Sequence, residues 1–82
     1  MADEILVYAG TYTNRDGKGT YGFRFREDDG GLDPIGDPAE SESPSFLTMH
    51  PSKSFLYATN ETDPGQVTAY AIGATGTLTE LN

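Results

Sequence analysis

The sequence predicts an all-β chain in which a four-stranded unit recurs, and three observations carry that prediction. Short runs alternate apolar and polar residues with period two, as in Phe23-Arg24-Phe25-Arg26. No segment shows a capped 3.6-residue apolar period of helical length. The chain also repeats itself. Val7–Thr13, "VYAGTYT", matches Leu56–Thr62, "LYATNET", at an offset of 49 residues. Phe23 and Phe25 then match Tyr70 and Ile72 at 47, and Gly30, Leu32 and Ile35 match Gly76, Leu78 and Leu81 at 46.

Taken in order, the elements are as follows. Ile5–Tyr12 is rich in β-branched and aromatic residues and reads as a strand. A loop follows, then the alternating strand Thr20–Arg26. Glu27-Asp28-Asp29-Gly30 turns the chain into a short outer strand, Gly31–Ile35. Asp37–Ser45 is read as a connection, leading to Ser45–Met49 and the tight turn His50-Pro51-Ser52-Lys53. Ser54–Asn60, Gln66–Ile72 and Thr77–Leu81 repeat the first three strands. Four antiparallel strands at a period of 46 to 49 residues is the pattern of a propeller blade. Leu6–Tyr8 and Leu56–Tyr57 are apolar on both faces, as sheets packed between neighbouring blades require. The expected division is residues 1–38 as a first blade without its inner strand and 39–82 as a second, complete blade.

Asp16–Phe23, "DGKGTYGF", spells G-x-G-x-x-G with Gly17, Gly19 and Gly22. A dinucleotide site needs a helix after those glycines, whose N-terminal N–H groups hold the pyrophosphate. Here an alternating strand follows instead. The glycines therefore read as hairpin-loop residues, in a loop that is longer in the first unit than in the second, and no cofactor is expected.

Composition narrows the function classes. Thirteen acids against five cations give a net charge of −8, which argues against nucleic acid and anionic membranes as partners. The chain has no cysteine, so neither disulfides nor a thiolate zinc site are available. No apolar run reaches the length of a membrane span or signal-peptide core, so the expected location is the cytoplasm. At 35% hydrophobic residues over 82 positions, the core of the isolated chain is expected to be thin.

The run from "VYAGTYT" through "SPSFLTMHPSKSFLYATNE" to "TGTLTEL" resembles the N-terminal part of the lactonase-type seven-bladed propellers, the 6-phosphogluconolactonase-like proteins. Pro44–Glu61 is its most specific stretch and Gly10–Thr13 the next. The resemblance covers essentially the whole chain and implies that it corresponds to the first two of about seven blades. It further implies a sugar-lactone substrate and hydrolysis of a carboxylic ester, with water attacking the ring carbonyl. Catalytic residues are expected on later blades, and none is assigned here. The alternative is a catalytically silent module that associates with its own copies through uncovered blade faces lined by Tyr8, Tyr57, Phe23 and Tyr70.

In a propeller the ligand site lies at the mouth of the central channel. The loops expected there are Tyr12–Gly19, Asp37–Ser45 and Asn60–Gly65. Asn60 and Glu61 end a strand at this rim and are the candidates for contacts to a sugar-like ligand, unless they only cap a turn. Arg15 and Lys18 are candidate phosphate contacts, unless they are ordinary solvated charges. The single histidine, His50, lies at the far end of its strand and is expected to tie its turn by a hydrogen bond. Ser43, Ser45 and His50 lack an orienting acid for a triad. Asn14, Asp16 and Gly17 lack the bidentate Glu of a calcium loop, so no metal site is expected.

Overall fold

The computed structural model describes residues 5–14 and 16–82. Eight strands form two four-stranded antiparallel sheets. The first holds β1 (Ile5–Ala9), β2 (Gly19–Phe25) and β3 (Leu32–Pro34) in that order, with the two-residue β4 (Ala39–Glu40) also paired to β2. The second runs β5 (Pro44–Met49), β6 (Phe55–Asn60), β7 (Gln66–Ile72) and β8 (Leu78–Glu80). There is no helix among the described residues. The all-β expectation holds, with partial propeller blades as the architecture.

Two strand assignments are corrected. β4 lies inside the segment expected to be a plain connection. It pairs Glu40 with Gly19 and Ala39 with Thr20, a backbone bridge with no alternating pattern to announce it. The first strand ends at Ala9 instead of Tyr12. Beyond it, side chain replaces ladder: the Thr11 hydroxyl donates to the Gly19 carbonyl at 2.7 Å and lies 3.3 Å from the Gly19 amide. A Cβ on the intervening Gly10 would fall on the Pro44 carbonyl oxygen, so only glycine lets the chain pass there.

The two sheets share one register. Tyr8 lies opposite Gly22 and Ala9 opposite Tyr21 in the first, Tyr57 opposite Ala69 and Ala58 opposite Thr68 in the second. Phe23 faces Pro34 as Tyr70 faces Glu80. The strand-ending turns match bond for bond. Gly30 N–H donates to Arg26 and Gly76 N–H to Gly73; Ile35 N–H donates to Gly22 and Leu81 N–H to Ala69. Gly30 and Gly76 both have positive φ, 75° and 90°.

The core lies between the sheets. Leu56, Ala58 and Tyr70 are its fully buried members, with Tyr8, Ala39, Leu47, Ile72 and Leu78 packed against them. Tyr8 and Tyr70, expected on uncovered faces, instead lie in this contact: Tyr70 is 1% exposed. Alternation decides the outcome, because Tyr8 shares its face with Leu6 and Tyr70 shares its face with Ile72. The Tyr8 hydroxyl donates to the Gly76 carbonyl at 2.6 Å across 68 residues of sequence, and burial raises its pKa above the ordinary phenol value. Arg24 donates to the Thr75 carbonyl at 2.9 Å, 51 residues away. A Cβ on Gly76 would come within 2.9 Å of Ile35 Cδ1 and 3.1 Å of Leu6 Cδ2, so the turn carries glycine for packing as well as for φ. The faces turned away from this contact are apolar and open: Leu32 is 49% exposed on the first sheet, and Phe46 67% and Val67 57% on the second.

Candidate functional site

The ends of β1 and β6 meet at one rim, and the connection 41–43 between the sheets runs through it. Three polar residues hold that connection. Asn60 is 3% exposed and uses its whole amide on the chain. Nδ2 donates to Ser41 Oγ and to the Glu42 carbonyl, both at 2.6 Å, and Oδ1 accepts from Thr68 Oγ1 at 2.6 Å. Ser43 is held from the other side. Thr13 N–H donates to Ser43 Oγ at 3.1 Å and Ser43 N–H donates to Thr13 Oγ1 at 3.0 Å. Glu61 N–H donates to the Ser43 carbonyl at 2.9 Å. These bonds keep Ser43 in the left-handed region, φ 38°, which a non-glycine residue seldom enters unaided.

The pinned segment forms the floor of a cavity of about 540 Å³, lined by Tyr12, Thr13, Asn14, Glu42, Ser43, Glu61, Thr62 and Asp63. Glu61 is exposed here, and its Oε1 accepts from the Tyr12 hydroxyl at 3.1 Å. Tyr12 and Glu61 are 49 residues apart and occupy matching positions of the two units. A second cleft, about 430 Å³, lies on the other side of the connection and shares Glu42 and Thr62 with the first. Both are lined by hydroxyls, amides and carboxylates. That donor–acceptor set suits a neutral polyhydroxylated molecule: hydroxyl groups can donate to the carboxylates and accept from Tyr and Thr.

The four residues singled out from the sequence therefore separate. Glu61 faces the cavity. Asn60 lies behind it, holds the connection, and lines the second cleft. Lys18 is exposed, its backbone N–H accepted by the Tyr21 hydroxyl at 3.2 Å, and it does not line either cleft. Arg15 lies outside the described residues. Tyr12, Thr13 and Ser43 are not among those four, Ser43 entering the sequence reading only as a serine without a triad acid; the signal for Tyr12 is its alignment with Glu61 in the repeat. Among the described residues no group of three or more His, Asp or Glu could hold a metal ion. No helix among them is long and apolar enough to cross a membrane.

The far end of the sheets carries different chemistry. His50 Nδ1 accepts from the Ser52 amide at 3.0 Å and lies 2.9 Å from the Ser52 hydroxyl. Its ring stands edge-on to Phe55, 5.8 Å between centroids, so it ties its own turn. In the turn after β2, Arg26 pairs with Asp29 and Asp33. The Gly31 amide and then Arg26 hold the Asp29 carboxyl below its ordinary range, and the two carboxylates raise the Arg26 pKa.

Two four-stranded sheets stacked face to face, with polar loops gathered at one rim, define a partial β-propeller. Residues 6–82 match the family model described as lactonase, 7-bladed β-propeller, and the chain belongs to that family. It is similar to a candidate 6-phosphogluconolactonase from Bacteroides fragilis, with TM-score 0.87 and 39% identity over 96% of this chain and 23% of that one. A candidate 6-phosphogluconolactonase from Bacteroides uniformis gives TM-score 0.88 and 34% identity over 99% and 24%. A periplasmic gluconolactonase from Pseudomonas aeruginosa gives TM-score 0.80 and 28% identity over 95% and 23%. An uncharacterized protein of Staphylococcus saprophyticus is 36% identical over 92% of this chain and 21% of its own length. The chain thus spans between a fifth and a quarter of the relatives it matches.

Proposed function

We propose that the chain forms the N-terminal two blades of a sugar-lactone hydrolase of the 6-phosphogluconolactonase-like type, and that its rim supplies one wall of the substrate site. The observation that carries this reading is the cavity over the 41–43 connection, lined by Tyr12, Thr13, Ser43 and Glu61 in a chain of the lactonase family. Units 1–38 and 39–82 would be the first two of seven, repeating one blade plan. In lactone hydrolysis water adds to the ring carbonyl, a base takes its proton, and polar groups hold the oxyanion. This wall would hold the sugar hydroxyls: Tyr12 would donate and Glu61 accept. Asn60 would act through its hold on Glu42. Lys18, exposed on the loop before β2, would be the cation for a phosphate at the edge of the site. The groups that act on the carbonyl would come from other blades, so the 82 residues alone would be inactive.

The test is a chimera. The chain replaces the corresponding first quarter of the Bacteroides fragilis relative, and hydrolysis of gluconolactone and its 6-phosphate is followed by acid release. Activity in the chimera, with KM raised by E61Q and Y12F and kcat less affected, supports the reading. A chimera that folds and hydrolyses either lactone with KM unmoved by both substitutions refutes the assignment of the wall.

A further inference from the structure

We propose that Asp16 is a site of spontaneous isoaspartate formation, and that the fold shields the chain's other Asp-Gly pair from the same reaction. The sequence holds two such pairs, Asp16-Gly17 and Asp29-Gly30. An aspartate before glycine is prone to ring closure, because glycine has no side chain to hinder its own backbone nitrogen. The Gly17 nitrogen bonds to Asp16 Cγ, and a Cγ–O bond of the neutral acid breaks. The departing oxygen takes the acid proton and the amide proton and leaves as water. A second water then opens the five-membered imide at either carbonyl. One opening restores aspartate. The other runs the main chain through Cγ, so the chain gains a methylene and the α-carboxylate becomes the side chain. Water is the only co-reactant, and no lactone chemistry is involved.

Both aspartates are exposed, so access to water does not separate them. Hydrogen bonding does. The Asp29 carboxylate accepts from the Gly31 amide at 2.9 Å and from Arg26 Nε at 3.2 Å. The Gly30 N–H, whose nitrogen would have to attack, donates to the Arg26 carbonyl at 2.8 Å. Closure at Asp29 must therefore break bonds on both reacting groups. The Gly31 amide and Arg26 also hold the Asp29 carboxyl below its ordinary range, which depletes the neutral acid that loses water. Asp16 has no such restraint: among the described residues neither its carboxylate nor the Gly17 N–H makes a hydrogen bond. The consequence falls on a loop without slack. A Cβ on Gly17 would lie 2.4 Å from Thr11 Oγ1, the atom that ties the loop to Gly19. A methylene inserted just before Gly17 would press on that contact. The same loop carries Tyr12, Thr13 and Asn14, which line the 540 Å³ cavity.

The test is ageing of the 82-residue chain at neutral pH and physiological temperature, both native and in concentrated urea. An isoaspartyl methyltransferase labels the product, and peptide mass spectrometry counts it at each position. In the native chain Asp16 should convert about tenfold faster than Asp29, the equivalent of one or two hydrogen bonds released at Asp29. In urea, where neither pair is held by the fold, the two rates should converge. D16E cannot close the five-membered ring and should abolish labelling at that position while leaving the Asp29 rate unchanged. The converted chain, separated from its parent by chromatography, should melt at a lower temperature, because the Thr11–Gly19 tie is disturbed. Equal rates in the native chain, or faster conversion at Asp29, overturn the proposal. So does an Asp16 excess that is just as large in urea, since local sequence and not the fold would then set it.

Discussion

Replacing Asn60 by Ala should unpin the connection between the sheets. The substitution removes three hydrogen bonds, each 2.6 Å long, from a side chain that is 3% exposed. A hydrogen bond contributes about 0.5–1.5 kcal/mol net, so the three contribute about 1.5–4.5 kcal/mol. A domain of this size holds about 4–12 kcal/mol in all, at roughly 0.05–0.15 per residue. N60A should therefore cost about 3 kcal/mol, a large share of the total. Urea unfolding at micromolar concentration and low salt, where the −8 chains repel one another, is the assay. With a slope of about 1.5 kcal/mol per molar, the midpoint should fall by about 2 M. N60D adds a second reading. Its carboxylate would still accept from Thr68 but would face the Glu42 carbonyl without a proton to donate. The folded state would then favour the protonated acid, raising its folded pKa above the unfolded value of about 3.9. The sign follows from linkage: stability is fully present below the unfolded pKa and is lost as pH rises through the folded one. N60D should approach wild type in acid and fall behind it at neutral pH, whereas N60A should show no such slope. An N60A protein within about 0.5 kcal/mol of wild type would refute the reasoning.

Three further outcomes are expected. G76A should cost more than G30A, since both force alanine to positive φ, at about 1–2 kcal/mol, but only Gly76 is packed against Ile35 and Leu6; equal losses in thermal unfolding would show that packing contributes nothing there. Y8F should lose about 1 kcal/mol with the bond to Gly76. The raised phenol pKa makes the tyrosine's contribution fully present below about pH 10 and lost as pH rises through the folded value, so the late-titrating absorbance near 295 nm in wild type should be reduced in Y8F. Nicotinamide or adenine dinucleotides should leave the melting temperature unchanged, because Gly19 and Gly22 lie in strand β2 and no helix follows; saturation to a hundred times Kd would add about 2.7 kcal/mol, which a thermal shift would reveal.

What the sequence disclosed depended on the range of the interaction. Period-two alternation in Thr20–Arg26 and Gln66–Ile72 reflects a local geometric fact, and β2 and β7 fall within a residue of those bounds. β4 is two residues of backbone pairing, and pairing without a patterned face leaves no mark on composition. The end of β1 depended on the Thr11 hydroxyl reaching Gly19, and the role of Asn60 on partners 18 and 19 residues back. Ser, Thr and Asn form such bonds in many local geometries, so their identity alone does not select a partner. Glu61 was legible as a rim residue because a strand end fixes direction, whereas Tyr12 required two copies to be compared.

The ties between the sheets have a consequence for synthesis. Tyr8 waits for a partner 68 residues away, Arg24 for one 51 away and Tyr12 for one 49 away. A nascent chain extends at about 5–20 residues per second, so the first hairpin emerges several seconds before the Gly76 turn exists. During that interval β1 and β2 hold an apolar face with nothing to cover it. β3 and β4 add only three and two residues to that hairpin and leave the same face bare, so this early segment gains lasting order when β6, β7 and the turn after β7 arrive. Folding of the N-terminal third is therefore timed by the C-terminal third, and a ribosome that pauses before Gly76 would leave the first strands open to capture by a chaperone or a neighbouring chain.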